Sequence, residues 1–497
     1  MADRPLSILE VGSLPDMDRE VAAGVLLHIR SQVPEETKEA WDGVVIDRLL
    51  SREEIAILTQ TALPHRVFFK DPALPADPVM GPFLACKLAA YLPQEAYDAF
   101  LQHFAVRYFR GQYGERRALG DFRPNPAFVD HIQYRGHNRM VLSQRFGDGK
   151  TAVPVLTVRS SILIWEEQPL DFWWEILAGE GVSFSIRVRQ IGEGSLDTVA
   201  KTWDLSEEDL SQPICLCSKG RGTLSVTLLA RGEGELLVGP LHTRYARQGA
   251  GVFFPGGQRL AGQDGREAAV YFEPGDLRPP LCVYFSGYRT AEGFEGLHMM
   301  QGLGTPFLLV TDMALEGGAF YLGDPDFEER IRSVIRQTLE RLHFTEDQLI
   351  LSGISMGSFG AVYYGAKFHP HALIVGKPLL NLGSIAVNER LLRPGGFPTS
   401  LDILQRFAGS DGVEELNRRV FARVDAADWE GTEAAVSYMA QDDYDPTAYQ
   451  DLLAHLRGKH ATIYGKRITG RHNDNTGAVV EWFVSQYRRI LREDFGR

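Results

Sequence analysis

An α/β chain with a β-sandwich in its middle is what this sequence predicts, and three observations predict it. The chain has 497 residues, more than the roughly 250–300 at which a single core stops growing, so two or three domains are expected. Both ends alternate short apolar runs with helical patterns, whereas the stretch from Arg139 to Gly275 holds closely spaced strand patterns separated by turn residues. Hydrophobic residues make up 44% and charged residues 24% of the chain, an ordinary globular balance that excludes a largely disordered protein.

Residues 1–138 form the first predicted region, an α/β (Rossmann-like) one. Gly43-Val-Val-Ile-Asp47 reads as a buried strand, Ser51 with Glu54 as a capping box opening a helix through Leu58, and His65-Arg-Val-Phe-Phe69 as the next strand. A longer amphipathic helix is expected over Gln94–Phe109. Residues 139–275 form the predicted sandwich, possessing the runs Val153–Val158, Ile162–Trp165, Val182–Val188, Thr223–Leu229 and Ala269–Phe272. Gly192-Glu-Gly194 and Gly232-Glu-Gly234 mark its turns, and only Leu205–Leu210 has a helical pattern. Trp165, Phe172, Trp173 and Trp174 have the chemistry to stack on sugar rings, as in a carbohydrate-binding module, but burial inside the sandwich is the expectation.

Residues 276–497 form the third region. After Pro279-Pro280 come strands at Leu281–Phe285, Phe307–Thr311, Gln348–Leu351, His371–Val375 and Glu433–Met439, with helices at Phe327–Leu342 and Phe359–Phe368. Strands alternating with helices predict a parallel, doubly wound sheet.

Charge and cysteine usage narrow the function classes. The formal charge of 52 − 65 = −13 gives no electrostatic reason to bind nucleic acid or an anionic membrane. Four cysteines (Cys86, Cys215, Cys217, Cys282) are too few for a disulfide framework and point to a reducing compartment. No apolar run approaches the ~18 residues of a membrane span; Val21–Ile29 is short and broken by His28, and the acidic start of the chain has no secretion-signal layout. A cytoplasmic protein without a transmembrane segment is expected.

The chemistry centres on Gly353-Ile-Ser355-Met-Gly357, which follows an apolar strand and opens a helix. That context defines a nucleophile elbow: small residues flanking the serine let the chain turn sharply and lift its hydroxyl above the sheet. It makes Ser355 the candidate nucleophile and the α/β-hydrolase fold the expectation for this region. Serine needs a base, and in this fold the chain order is serine, acid, histidine. His472, 117 residues later in Gly470-Arg-His-Asn-Asp-Asn475, has the right place; His455 and His460 read as solvated. The loop Met439–Pro446 supplies Asp442, Asp443 and Asp445. Asp445 before Pro446 reads as a helix cap, leaving Asp443 as the first choice for the acid and Asp442 as the alternate. An oxyanion hole needs two N–H donors, assigned by position to Met356 and Tyr288.

Other motifs fall away. Gly149-Lys-Thr151 lacks the first glycine of a phosphate loop, and Gly302-Leu-Gly304 lacks the third glycine of a dinucleotide fingerprint. Cys215-x-Cys217 has no second ligand pair, so no metal site is expected. Lys377 and Arg471 fall beside strand ends, where either a substrate contact or a structural ion pair fits.

Ser352–Gly360, Gly376-Lys-Pro-Leu379, Arg393-Pro-Gly-Gly-Phe-Pro-Thr-Ser-Leu-Asp402, Asp442–Asp445 and Gly470–Asn475 together resemble the second accessory Sec protein family, which serves export of serine-rich-repeat adhesins in Gram-positive bacteria. The resemblance is dense over Leu281–Arg497. It implies a cytoplasmic protein, peripheral at the membrane through its export complex. It would work with the first and third accessory Sec proteins, the accessory Sec motor ATPase and a serine-rich-repeat glycoprotein. It also implies O-acetylation of N-acetylglucosamine on that glycoprotein, with an acetyl donor as co-substrate, no bound cofactor, and a non-catalytic role in export. Ser355 and His472 match the family's nucleophile and base; Glu serves as the acid in the family, whereas this loop offers only Asp. Two other readings stand beside it: a carbohydrate esterase or deacetylase with the same residues, and a mainly non-catalytic export subunit.

Overall fold

The computed structural model describes residues 4–35, 40–263, 265–393, 397, 399–408 and 412–497. Pro394, Gly395, Gly396 and Pro398 of the Arg393–Asp402 motif lie outside the described residues. Among the described residues the strands form three sheets of six, eleven and eight strands.

In the first sheet Val25–Arg30, Leu6–Val11, Gly43–Ile46, Val67–Phe69 and Ala90–Tyr91 run parallel, and Met17–Ala22 is an antiparallel edge. Ser51 and Glu54 form the expected capping box at Arg52–Thr61. The helix expected over Gln94–Phe109 is instead three short pieces, Gln94–Ala96, Tyr97–Gln102 and Phe104–Tyr108. The breaks let Phe100, Phe104 and Tyr108 gather around Phe68.

The second sheet is antiparallel and built on one 24-residue strand, Gly222–Tyr245. Its first half pairs with Val182–Gly192 and its second with Leu170–Ala178. Gly232 and Gly234, expected as a turn, are a bend within this strand. At Gly232 φ is +100° and a Cβ would lie 2.0 Å from Gly181 O, so only glycine lets the neighbouring backbone approach. Leu205–Leu210, expected to be helical, spans the end of the strand Val199–Ser206 and a single turn at Asp209–Ser211. Phe172, Trp173 and Trp174 are buried, and Trp173 carries the Arg259 guanidinium over its ring at 4.6 Å. The strand pairing moves both sandwich limits. Gly114–Arg117, Phe122–Pro124 and Ile132–Arg135 already belong to the second sheet, while Gln258–Ala261 and Glu267–Glu273, which include the Ala269–Phe272 run, join the third.

That third sheet comprises β1 (Gln258–Ala261), β2 (Glu267–Glu273), β3 (Leu281–Phe285), β4 (Phe307–Asp312), β5 (Leu349–Ile354), β6 (Ala372–Gly376), β7 (Glu433–Met439) and β8 (Thr462–Ile468). Their order is β1-β2-β4-β3-β5-β6-β7-β8. Strand β2 is antiparallel to both neighbours and the rest are parallel, the arrangement of the α/β-hydrolase fold. The central strands are mostly apolar and buried because helices cover both faces. Leu281, Val283, Phe285, Leu349 and Leu351 pack toward α1 (Pro325–Leu342), α2 (Met356–Gly365), α3 (Val413–Ala426) and α4 (Ala448–Leu456). Cys282, Tyr284, Ile350 and Ile374 pack toward α5 (Thr476–Glu493). Among the described residues no helix is long and apolar enough to cross a membrane.

A buried ionic cluster joins the second sheet to the third. His242, fully buried, lies between Glu175, whose Oε1 is 3.2 Å from Nε2, and Glu292, on the Nδ1 side. Arg139 pairs with Glu175 at 2.6 Å, and Arg244 pairs with Glu267. His242, Glu267 and Glu292 come close enough to hold a metal ion, but the Arg244 guanidinium already faces both carboxylates. Burial by itself would lower the His242 pKa; Glu292 and Glu175 outweigh it and push it up to about 9. With the folded value above the ordinary 6.5, the stabilisation is complete below that pH and is lost as pH rises through about 9. Thermal melts between pH 6.5 and 9.5 are expected to show a falling midpoint in the wild type and a shallower fall in His242→Gln. Removing one partner of a buried ionic set costs about 3–5 kcal/mol, so His242→Ala should unfold at markedly lower denaturant.

Candidate active site

Strand β5 ends at Ile354 and α2 starts at Met356, so Ser355 occupies the turn between them. Its backbone sits at φ 58°, ψ −124°, a conformation disfavoured for a residue with a Cβ and stored only where the surroundings enforce it. The two flanking glycines enforce it. A Cβ at Gly353 would lie 2.2 Å from Gly357 O, and one at Gly357 would lie 2.0 Å from Phe285 O at the end of β3. The strand, turn and helix therefore close on one another where no side chain fits. Ser355 N–H donates to Gly376 O at the end of β6 at 2.8 Å, pinning the turn from the other side.

Ser355 Oγ donates to His472 Nε2 at 2.9 Å, and His472 Nδ1 donates to Asp442 Oδ2 at 2.9 Å. Both His472 and Asp442 are nearly excluded from solvent, their side chains 5% and 6% exposed. The carboxylate on the imidazole is thus that of Asp442, the alternate choice, and not that of Asp443. The reason is the competition for each carboxylate. Asp443 Oδ2 is taken by Arg393 Nε at 2.7 Å and its Oδ1 accepts the His472 backbone N–H at 3.1 Å. Burial would raise the Asp443 pKa, but the His472 N–H and Arg393 hold it below the ordinary carboxylate range. Asp442 Oδ1 accepts the N–H groups of Tyr444 and Asp445, at 2.9 and 3.1 Å, which leaves Oδ2 aimed at the ring. Asp445 does not cap the helix through Pro446. It is buried and accepts from Leu380 N–H and Asn381 N–H, both at 2.7 Å, tying the loop after β6 to the acidic loop.

A cavity of about 420 Å³ opens at Ser355, lined by His472, Tyr288, Glu295, Phe397 and Tyr444 among others. The family described as accessory Sec system GspB-transporter matches residues 25–497. The chain belongs to this family. It is 36% identical over 507 aligned residues to the second accessory Sec system protein of Streptococcus gordonii, covering 99% of each chain. It is 40% identical over 393 residues to the Staphylococcus aureus counterpart, covering 78% of this chain and 75% of that one. A chain from the solved Glycosylation Associate Protein (Gap123) complex of Streptococcus agalactiae superposes with a TM-score of 0.90 at 36% identity, covering 100% of both chains.

For Lys377 and Arg471 the sequence leaves a substrate contact or a structural role open, and the structure gives Lys377 structural partners. Neither Lys377 nor Arg471 is among the residues lining the cavity. Lys377 is buried, and its Nζ donates to Asp474 O and Thr476 Oγ1 at 2.9 and 3.0 Å. It fastens the loop that presents His472 to the start of α5, and burial lowers its pKa. Arg471 is exposed and offers its backbone N–H to Asp474. Tyr288 does line the cavity, its ring edge-on to Phe397. Met356 is the first residue of α2, so its N–H has no intrahelical acceptor and faces the turn.

Sequence reasoning missed Tyr444, whose ring lies 4.5 Å from that of His472, and Arg393, whose guanidinium covers Tyr444 at 3.8 Å while binding Asp443. It also missed Glu295 on the cavity wall. Arg393 and Tyr444 lie within the motifs that carry the family resemblance; Glu295 has no local sequence signal. The crowding at the elbow carries a direct consequence. Gly357→Ala must push α2 away from β3, so unfolding by urea is expected to show a loss of about 1–3 kcal/mol or more, with Ser355 displaced from His472.

Proposed function

We propose that this protein is a serine acyltransferase that O-acetylates N-acetylglucosamine on serine-rich-repeat glycoproteins and supports their export. The observation that carries the acyl-transfer part is the hydrogen-bonded chain Ser355–His472–Asp442 at the mouth of a cavity. The acceptor and the export role rest on the family and on the resemblance from which they were expected.

In the proposed reaction Ser355 Oγ attacks the donor's acetyl carbonyl as its proton passes to His472 Nε2. The Met356 and Tyr288 N–H groups receive the developing oxyanion. The tetrahedral intermediate collapses, the donor's leaving group takes the proton from His472, and an acetyl ester remains on Ser355. A sugar hydroxyl then gives its proton to His472 and attacks the ester, and Ser355 Oγ regains the proton as it leaves. Asp442 holds His472 in the tautomer with Nδ1–H and stabilises the imidazolium formed in both halves.

The similar Streptococcus agalactiae chain comes from a Glycosylation Associate Protein (Gap123) complex, and we infer that this chain assembles with the first and third accessory Sec proteins, cooperating with the accessory Sec motor ATPase at the cytoplasmic side of the membrane.

Mass spectrometry of the exported glycoprotein tests the reading. Ser355→Ala is expected to remove the acetyl mass from N-acetylglucosamine while export continues; unchanged glycans would reject the transferase. In an acetyl-ester assay Asp442→Asn should lower kcat by about 10²–10⁴-fold, since a misplaced tautomer disables the base. Asp443→Asn, which keeps an acceptor for the His472 N–H, should cost less than about tenfold.

A further inference from the structure

The loop leaving β3 passes Ser355 and returns along the cavity wall. Gly287 N–H donates to Glu295 Oε2 at 2.7 Å. A Cβ at Gly287 would lie 3.3 Å from Ile354 O and 3.4 Å from Glu295 Oε2, so this bridged loop rests against the residue preceding the nucleophile. With the Gly287 N–H engaged, the next N–H along the chain is that of Tyr288, which has no protein acceptor among the described residues.

Glu295 is itself fixed from outside the hydrolase sheet. The Gln112 side-chain amide, just ahead of the strand Gly114–Arg117 of the second sheet, grips the backbone of Phe294 on both sides. Its Oε1 accepts Phe294 N–H at 2.8 Å and its Nε2 donates to Phe294 O at 2.7 Å. Gly293, at φ +140°, lets this amide in: a Cβ there would lie 2.5 Å from Gln112 Oε1. Glu292 N–H donates to Gly114 O at 3.3 Å, and the Glu292 carboxylate meets His242 of the second sheet. Successive residues 292–294 are thus held by the second sheet and the chain leading into it.

We propose that Glu295 is a positioning residue that orients the Gly287–Tyr288 peptide as the second oxyanion donor, and that Gln112 sets Glu295 in place. The inference rests on the acyl-transfer reading above. A carboxylate oxygen fixes the Gly287 N–H and so the plane of the peptide before it, which limits where the next N–H points. Oxyanion donors act only when preorganised, and misplacing such a group by about 1 Å costs on the order of 10²-fold in rate. The part of the chain outside the hydrolase sheet would then complete the site rather than merely accompany it.

Steady-state hydrolysis of p-nitrophenyl acetate by the full-length chain tests this, with thermal melts confirming that each variant folds. Glu295→Ala is expected to lower kcat about 10–100-fold with KM within about twofold. Glu295→Gln should restore most of the rate, because its amide oxygen still accepts the Gly287 N–H. Gln112→Ala, which lies outside the cavity, should lower kcat about tenfold in the same manner, and it decides the matter if Glu295→Ala does not fold. A wild-type kcat in Glu295→Ala, or equal losses in Glu295→Gln and Glu295→Ala, would overturn the positioning role; a wild-type kcat in Gln112→Ala would overturn the outside support. Ser355→Ala separates the two levels: if it hydrolyses the ester as fast as wild type, the acyl-transfer reading itself fails, whereas an inactive Ser355→Ala beside a fully active Glu295→Ala sinks only this inference.

Discussion

The contact on which the candidate site depends is the one between the first turn of α2 and the end of β3, made where Gly357 meets the Phe285 carbonyl. No Cβ fits in that contact, and because it closes, the chain at Ser355 must adopt a positive φ. The strained turn lifts the hydroxyl out of the sheet and aims the α2 N-terminus at the same space. The sheet itself makes the strain tolerable: β3, β5 and β6 are buried on both faces, so a turn worth a few kcal/mol of strain sits in a frame that cannot relax around it.

Around this turn, polar groups are arranged so that each carboxylate has its own set of partners. Asp442 divides its two oxygens between its own loop and His472, Asp443 serves Arg393 and the His472 backbone, and Asp445 ties down residues 380–381. Lys377 secures the far side of the histidine loop. Three neighbouring aspartates thus do three different jobs, and exchanging their roles would leave a buried donor or acceptor unpaired at a cost of about 1–3 kcal/mol each.

The second sheet bears on the same site. Its ionic cluster around His242 includes Glu292, three residues from Glu295 on the cavity wall. A cluster this buried contributes little net stability over an apolar core but fixes one arrangement of the parts that share it. The aromatic residues that a sugar-binding sandwich would display are mostly inside instead, as Phe172, Trp173 and Trp174 are.

Local chemistry settled what the sequence by itself could decide. Gly353-x-Ser355-x-Gly357 between an apolar strand and a helix dictates the elbow, because the steric demand is written in adjacent residues. The alternation of strands and helices after Pro280 dictates the parallel sheet, and the order serine, acid, histidine points to His472. What only the tertiary structure decided depends on partners distant in the chain. Asp442 rather than Asp443 faces His472 because Arg393, fifty residues before Asp443, claims the latter. Strand β2 joins the third sheet because β4 offers it an open edge, a competition that alternation within β2 cannot report. Glu295 meets Gly287 because Gln112, 182 residues before Phe294, holds the loop in place, and no local pattern records a contact of that range.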